Sequence, residues 1–115
     1  MTTIKPELGA DICRRAIAKW GEERQRDMII EEASELQKAL LKYRRYDRTE
    51  EWRIKCVEEA VDMSIMLDQL LMMLSSQQEF DKVRRYKLCR LSKMIDGDMD
   101  HQTCENAERD DCCLV

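Results

Sequence analysis

Residues 22–46 read EERQRDMIIEEASELQKALLKYRRY, and residues 49–75 read TEEWRIKCVEEAVDMSIMLDQLLMMLS. Neither stretch contains Pro or Gly. Turning the first by about 100° per residue gathers Met28, Ile29, Leu36, Ala39, Leu40 and Tyr43 into one band. Lys38, Lys42 and Arg45 fall towards the opposite face. The pattern predicts a helix from about Glu22 to Tyr46. The second stretch predicts a helix from about Thr49 to Ser75. Its later half, with Ile65, Met66, Leu67, Leu70, Leu71, Met72, Met73 and Leu74, is apolar on most sides. A helix of that kind is expected at the centre of the fold, as the most buried one.

Flanking signals complete the set. Pro6 suits a first helical position and Gly21 a stop, so a helix is expected over Pro6–Trp20, with Ile12, Ala16 and Ile17 recurring at helical spacing. Asp47 with Glu50, and Ser76 with Glu79, have the spacing of capping boxes. The second box opens a fourth helix, to about Ile95, with Phe80, Val83, Lys87, Leu88, Leu91 and Ile95 towards one side; Gly97 ends it. One Pro and three Gly are too few turn-formers for a sandwich or barrel. The expected fold is all-α, with a helical domain over 1–96 and a weakly ordered tail over 97–115. A chain of 115 residues buries a limited share of its surface, which favours a partner subunit.

Charge and composition exclude several classes. Hydrophobic residues make up 43% and charged residues 38%, a mixture that suits amphipathic helices and argues against wholesale disorder. The net charge of −4 divides into +2 for residues 1–95 and −6 for residues 96–115. The helical part is nearly neutral and the tail acidic, which does not fit a nucleic-acid-binding domain. The longest strongly apolar stretch, Ile65–Leu74, is interrupted by Asp68 and Gln69 and is too short to span a bilayer. No signal-peptide pattern is visible. Six cysteines occur without any CxxC and with a single His, so zinc-finger spacing is absent. Cys13, Cys56 and Cys89 fall inside helical patterns; free thiols in a reducing cytoplasm are expected.

The acids carry the chemistry. Glu31-Glu32-Ala33-Ser34-Glu35 lies in the second helix and Glu58-Glu59-Ala60-Val61-Asp62 in the third. Residues three apart share a helix face, so Glu32 neighbours Glu35 and Glu59 neighbours Asp62. Glu32 falls near the middle of its apolar stripe. Glu59 does the same, among Trp52, Met63, Met66 and Leu70. Glu35 and Asp62 fall about 60° away, at the stripe edges. A carboxylate on a core-facing stripe is costly unless neutralised. Two such pairs facing each other call for a cation, and Mg²⁺ with hard oxygen ligands fits best. A single pair would more often be solvated or ion-paired, as Glu35 with Lys38 could be.

Those residues resemble the signature of the MazG-like all-α nucleotide pyrophosphohydrolases, EExxE followed by ExxD. Here it reads Glu31-Glu32-x-x-Glu35, then Glu59-x-x-Asp62 after 23 intervening residues. Trp20-Gly21-Glu22-Glu23, Gln25, Asp62-x-x-Ile65-x-Leu67 and Lys87-Leu88-x-Arg90-Leu91 extend the similarity over roughly residues 15–95. The resemblance implies a four-helix-type bundle completed by homodimer or homotetramer formation. It implies Mg²⁺, with Mn²⁺ as a substitute, and hydrolysis of a (deoxy)nucleoside triphosphate to the monophosphate and pyrophosphate. Glu32, Glu35, Glu59 and Asp62 would be the metal ligands, with Glu31 orienting or activating water.

Around this set, Trp20, Gln25 and Met28 could line a nucleobase pocket, with Trp20 as plain core the competing reading. Lys87 and Arg90, with Arg84 and Arg85 behind them, could meet phosphate, or form a solvated basic face. Asp96-Gly97-Asp98-Met99-Asp100 resembles the start of a calcium loop but has His101 and Ala107 where Gly and Glu belong. A di-iron bundle would need two Glu-x-x-His pairs, and His101 is the lone His. The remaining alternatives are a dUTPase-type pyrophosphatase, for which the chain is short, and a non-catalytic helical interaction protein retaining the acidic motif.

Overall fold

A computed structural model describes residues 5–97 as four α-helices, with no strand among them. They are α1 (Pro6–Trp20), α2 (Glu22–Arg45), α3 (Glu50–Leu74) and α4 (Gln77–Asp96). Each boundary falls within one residue of its sequence signal. Pro6 opens α1, and Gly21 joins α1 to α2 at φ +88° and ψ 153°. That backbone region is nearly exclusive to glycine, so the sharp junction depends on the missing Cβ. Ser76 caps α4 by accepting the Glu79 backbone N–H at 3.1 Å. Gly97 closes α4 in the left-handed conformation.

The α2–α3 connection departs from expectation. Asp47 and Arg48 both adopt positive φ, at 56° and 55°. Helix α3 therefore begins at Glu50, one residue after Thr49, and the Asp47–Glu50 box does not form. Glu50 instead takes a two-pronged hydrogen bond from Arg53, at 2.6 and 2.5 Å. Next to this turn Tyr46 and Trp52 stack, with ring centroids 5.9 Å apart and planes 17° from parallel.

The chain divides into two compact units at Leu74/Ser75. In the first, α3 packs mainly along α2, and α1 touches both. Cys13, Ala39 and Met66 are its buried apolar residues. The expected stripes hold on the whole. Met28, Ile29, Leu36 and Tyr43 of α2 are half-buried, as are Trp52, Met63 and Leu70 of α3. The expectation that α3 is the most buried helix holds on one side only. Ile54, Val57, Val61 and Ile65, on the side away from α2, are 46–51% exposed. One facing helix covers about a third of an all-round apolar helix, and α1 is too short to cover the rest. Leu40 and Ile12 are likewise exposed, and Cys13 takes the buried place on α1.

The second unit holds α4. Phe80 and Val83 are half-buried and Tyr86 is buried, whereas Lys87, Leu88, Leu91 and Ile95 are exposed. The covered side is thus centred one residue away from the one expected. Residues 98–115, with most of the calcium-like stretch, His101 and three of the cysteines, lie outside the described residues.

Candidate metal centre

Helical spacing delivers the acids to one place. Glu32 on α2 and Glu59 on α3 both lie on the stripes through which the two helices pack. Asp62 sits one turn beyond Glu59. One carboxylate oxygen from each of Glu32, Glu59 and Asp62 lies within 4.8 Å of the others. Burial grades across the group: Glu59 is buried, at 6% exposure, Glu32 is half-buried and Asp62 is exposed. The centre is therefore rooted in the helix interface and open to solvent on one side.

The electrostatics at Glu32 are one-sided. Its carboxyl is held above the usual carboxylate range, first by burial and then by Asp62, Glu59, Glu31 and Glu35. Every charge that moves it is an acid. By contrast, Glu59 accepts an ion pair from Lys55 Nζ at 3.0 Å, one turn earlier on α3. Lys55 also lies 3.8 Å from Glu58. Its ammonium is raised above the ordinary lysine value by the Glu59 hydrogen bond first, then by the charges of Glu59, Glu58 and Glu35.

The fourth expected ligand is turned elsewhere. Glu35 lies 3.4 Å from Lys38 Nζ, three residues along α2, and is not among the three converging acids. Glu31 is exposed beside Glu32.

The donor set suits a hard divalent ion. Oxygens bound to one octahedral Mg²⁺ lie about 2.9–4.2 Å apart, given metal–oxygen distances of about 2.1 Å. A group spread over up to 4.8 Å needs only a small side-chain contraction to reach that range.

No family model, characterised protein or solved structure matches this chain. The reading of the site consequently rests on its own geometry and on the sequence resemblance.

The other expected residues are dispersed. Gln25 is 4% exposed and donates Nε2–H to Gln69 Oε1 at 2.7 Å across the α2–α3 interface, so it presents no free edge to a base. Trp20 is 46% exposed, with Lys19 Nζ and Arg24 Cζ each 5.5 Å from its ring centroid. It is neither core nor an open stacking surface. Met28 is half-buried. Lys87 and Arg90 lie on α4, in the second unit, with Lys87 Nζ 5.8 Å from the Tyr86 ring.

Two residues of consequence escaped the sequence reading. Lys55 had a local signal, its position four before Glu59 on one helix. Gln69 had none beyond being a polar residue inside an apolar run. At Cys13 burial, and then Asp68, push the thiol up, against a smaller opposing pull from Arg14, which disfavours the thiolate.

Proposed function

We propose that this chain is a Mg²⁺-dependent nucleoside triphosphate pyrophosphohydrolase of the MazG-like kind, yielding the monophosphate and pyrophosphate. The observation that carries the reading is the convergence of Glu32, Glu59 and Asp62 from two helices, with Glu59 buried. The motif order and spacing of residues 31–62 support the same reaction.

In this reading Glu32, Glu59 and Asp62 hold the ion, and Glu35 joins them only on leaving Lys38. Bound Mg²⁺ supplies charge neutralisation for the phosphates and a lowered pKa for water. The chain's own residues do the rest. Glu59, anchored in the helix interface, fixes the depth of the site. Asp62, exposed, faces the side from which a triphosphate can approach. Glu31, exposed beside Glu32, orients the attacking water and accepts its proton. The hydroxyl adds to one of the two phosphorus atoms flanking the α–β bridge, and that bridging P–O bond breaks. Among the described residues seventeen large hydrophobic side chains stay exposed, Ile54, Val57, Val61 and Ile65 among them, which supports completion by a homodimer or homotetramer.

A pyrophosphate-release screen over canonical and modified nucleoside triphosphates tests this, with Glu32→Gln and Glu59→Gln as controls. We expect Mg²⁺-dependent release with at least one nucleotide, reduced about 100-fold or more in both variants. Full activity in either variant removes that residue from the ligand set.

One observation favours a second reading. Lys55 already supplies Glu59 with a counter-charge, so the buried acid does not by itself require a metal. A non-catalytic helical interaction protein is then the alternative. No metal-dependent release across the panel, together with unchanged melting in Mg²⁺ or Mn²⁺, selects it. No helix among the described residues is long and apolar enough to cross a membrane.

A further inference from the structure

The acidic centre is unevenly compensated. Glu59 has Lys55 at 3.0 Å and Glu35 has Lys38 at 3.4 Å. At Glu32 every neighbouring charge that acts is an acid, and one oxygen each of Glu32 and Asp62 lies within 4.8 Å of one on Glu59. Glu59 thus stands between a lysine of its own helix and two further acids. A divalent ion entering the Glu32–Glu59–Asp62 group and the Lys55 ammonium compete for the same buried carboxylate, because two cations around one carboxylate repel.

Lys55 has somewhere to go. Its side chain is about half exposed, and Glu58 already lies 3.8 Å from its Nζ on the solvent side. It also borders an open surface depression lined by Glu51, Trp52, Ile54 and Glu58, with room for the ammonium and a second acid to receive it. Moving from Glu59 to Glu58 requires rotation of the lysine stem only, with no backbone change.

We propose that Lys55 is an exchangeable internal counter-cation. It neutralises buried Glu59 while the centre holds no metal, and swings to Glu58 when a divalent cation binds Glu32, Glu59 and Asp62. This rests on the metal-site reading given above. Its consequence is a threshold: the lysine keeps the empty centre stable, and it lowers metal affinity by the strength of the pair it must break.

Mn²⁺ alone, titrated into the purified full chain and followed by loss of the free-ion electron paramagnetic resonance signal, tests the exchange. Lys55→Met keeps the stem and removes the charge; Mn²⁺ should bind about 3–10-fold tighter, the scale of a half-exposed, hydrogen-bonded ion pair. Lys55→Arg, whose forked donors hold a carboxylate better, should bind Mn²⁺ more weakly than the wild type. Lys42→Met removes an equal charge over Trp52 and should leave the affinity unchanged. Metal-free Lys55→Met should also melt lower than wild type and gain more from saturating Mn²⁺.

Unchanged or weaker Mn²⁺ binding in Lys55→Met overturns the exchange, as does an equal gain in Lys42→Met. If Lys55→Met does not fold, tighter or unchanged binding in Lys55→Arg overturns it. Wild-type binding that Glu59→Gln abolishes, with affinity indifferent to residue 55, removes the exchange and keeps the metal centre. Absence of Mn²⁺ binding in every variant removes both.

Discussion

Gln25 donates its side-chain N–H to the Gln69 carbonyl oxygen at 2.7 Å, joining α2 to α3 across 44 residues of sequence. Both amides are buried, and Gln69 also points its own N–H towards Met66 Sδ at 3.9 Å. An amide pair in an apolar interface fixes the sliding register of two helices, since a shift of one residue leaves both unpaired. Glu32 and Glu59 face each other in that register.

Replacing either glutamine by leucine should therefore destabilise the chain by about 1–3 kcal/mol, the cost of one orphaned buried amide. The Gln25→Leu/Gln69→Leu double variant should lose less than the sum of the singles. Urea unfolding of the four proteins gives the coupling, and additive losses would show that the two amides act independently.

Glu32 provides a prediction with a definite pH direction. Its folded-state carboxyl titrates above its ordinary value because of burial and four neighbouring acids. A carboxyl raised in this way is charged at a cost in the folded state, and the cost is absent below the unfolded value. Stability therefore falls as pH rises from about 4.5 through the raised value. Metal-free Glu32→Gln should melt higher than wild type at pH 7, and the difference should shrink as the pH falls towards 4. In the proposed function the same variant loses activity, so a more stable, inactive protein is the expected signature. A Glu32→Gln protein that melts lower at pH 7 in chelator contradicts the repulsion on which this depends.

The acid-side behaviour of Glu50 runs the other way. Its carboxyl is held below the usual range, chiefly by the Arg53 hydrogen bond. That contribution is present above the ordinary carboxylate value and is lost as pH falls through the lowered one. Both groups lie in solvent, so Arg53→Gln should change the melting temperature little at pH 7. A large drop would mean that this pair sets the start of α3.

Gly21 joins α1 to α2 at φ +88°, with nothing within 4 Å of where a Cβ would stand. The penalty for a side chain is thus conformational and not steric against neighbours. Gly21→Ala should cost about 1–3 kcal/mol in thermal or urea unfolding. Arg48 is the converse case. It adopts φ 55° without being glycine, and Arg48→Gly should stabilise by about 0.5–1 kcal/mol once the greater freedom of unfolded glycine is subtracted. Destabilisation by Arg48→Gly would indicate that its side chain carries the turn.

Helix limits and the facing stripes were legible because they depend on local signals. Pro6, Gly21, Ser76 and Gly97 act within a turn of their own position, and a period of about 3.6 residues is enough to put Glu32 and Glu59 on the packed faces. What could not be read depended on rotamers or on other elements. Glu35 and Asp62 are equivalent by spacing, yet Lys38 is within reach of Glu35, and Asp62 joins the converging acids. Gln25 reads as a polar group free for a ligand until Gln69 is brought against it by tertiary register. The Asp47–Glu50 box failed because Asp47 tolerates the left-handed conformation and Arg53 competes for Glu50. The covered side of α4 slipped towards Tyr86 because the sequence pattern there mixes Lys and Arg with apolar residues on every face.

The Tyr46–Trp52 stack gives the chain an optical reporter. Trp52 stands three residues before Lys55, borders the same surface depression, and carries Lys42 Nζ 5.0 Å from its ring centroid. The one other tryptophan of the chain, Trp20, lies in solvent beside Lys19 and Arg24. With Trp20 replaced by Phe, the emission of a single indole would follow the movement of charge at Lys55, in unlabelled protein and in real time.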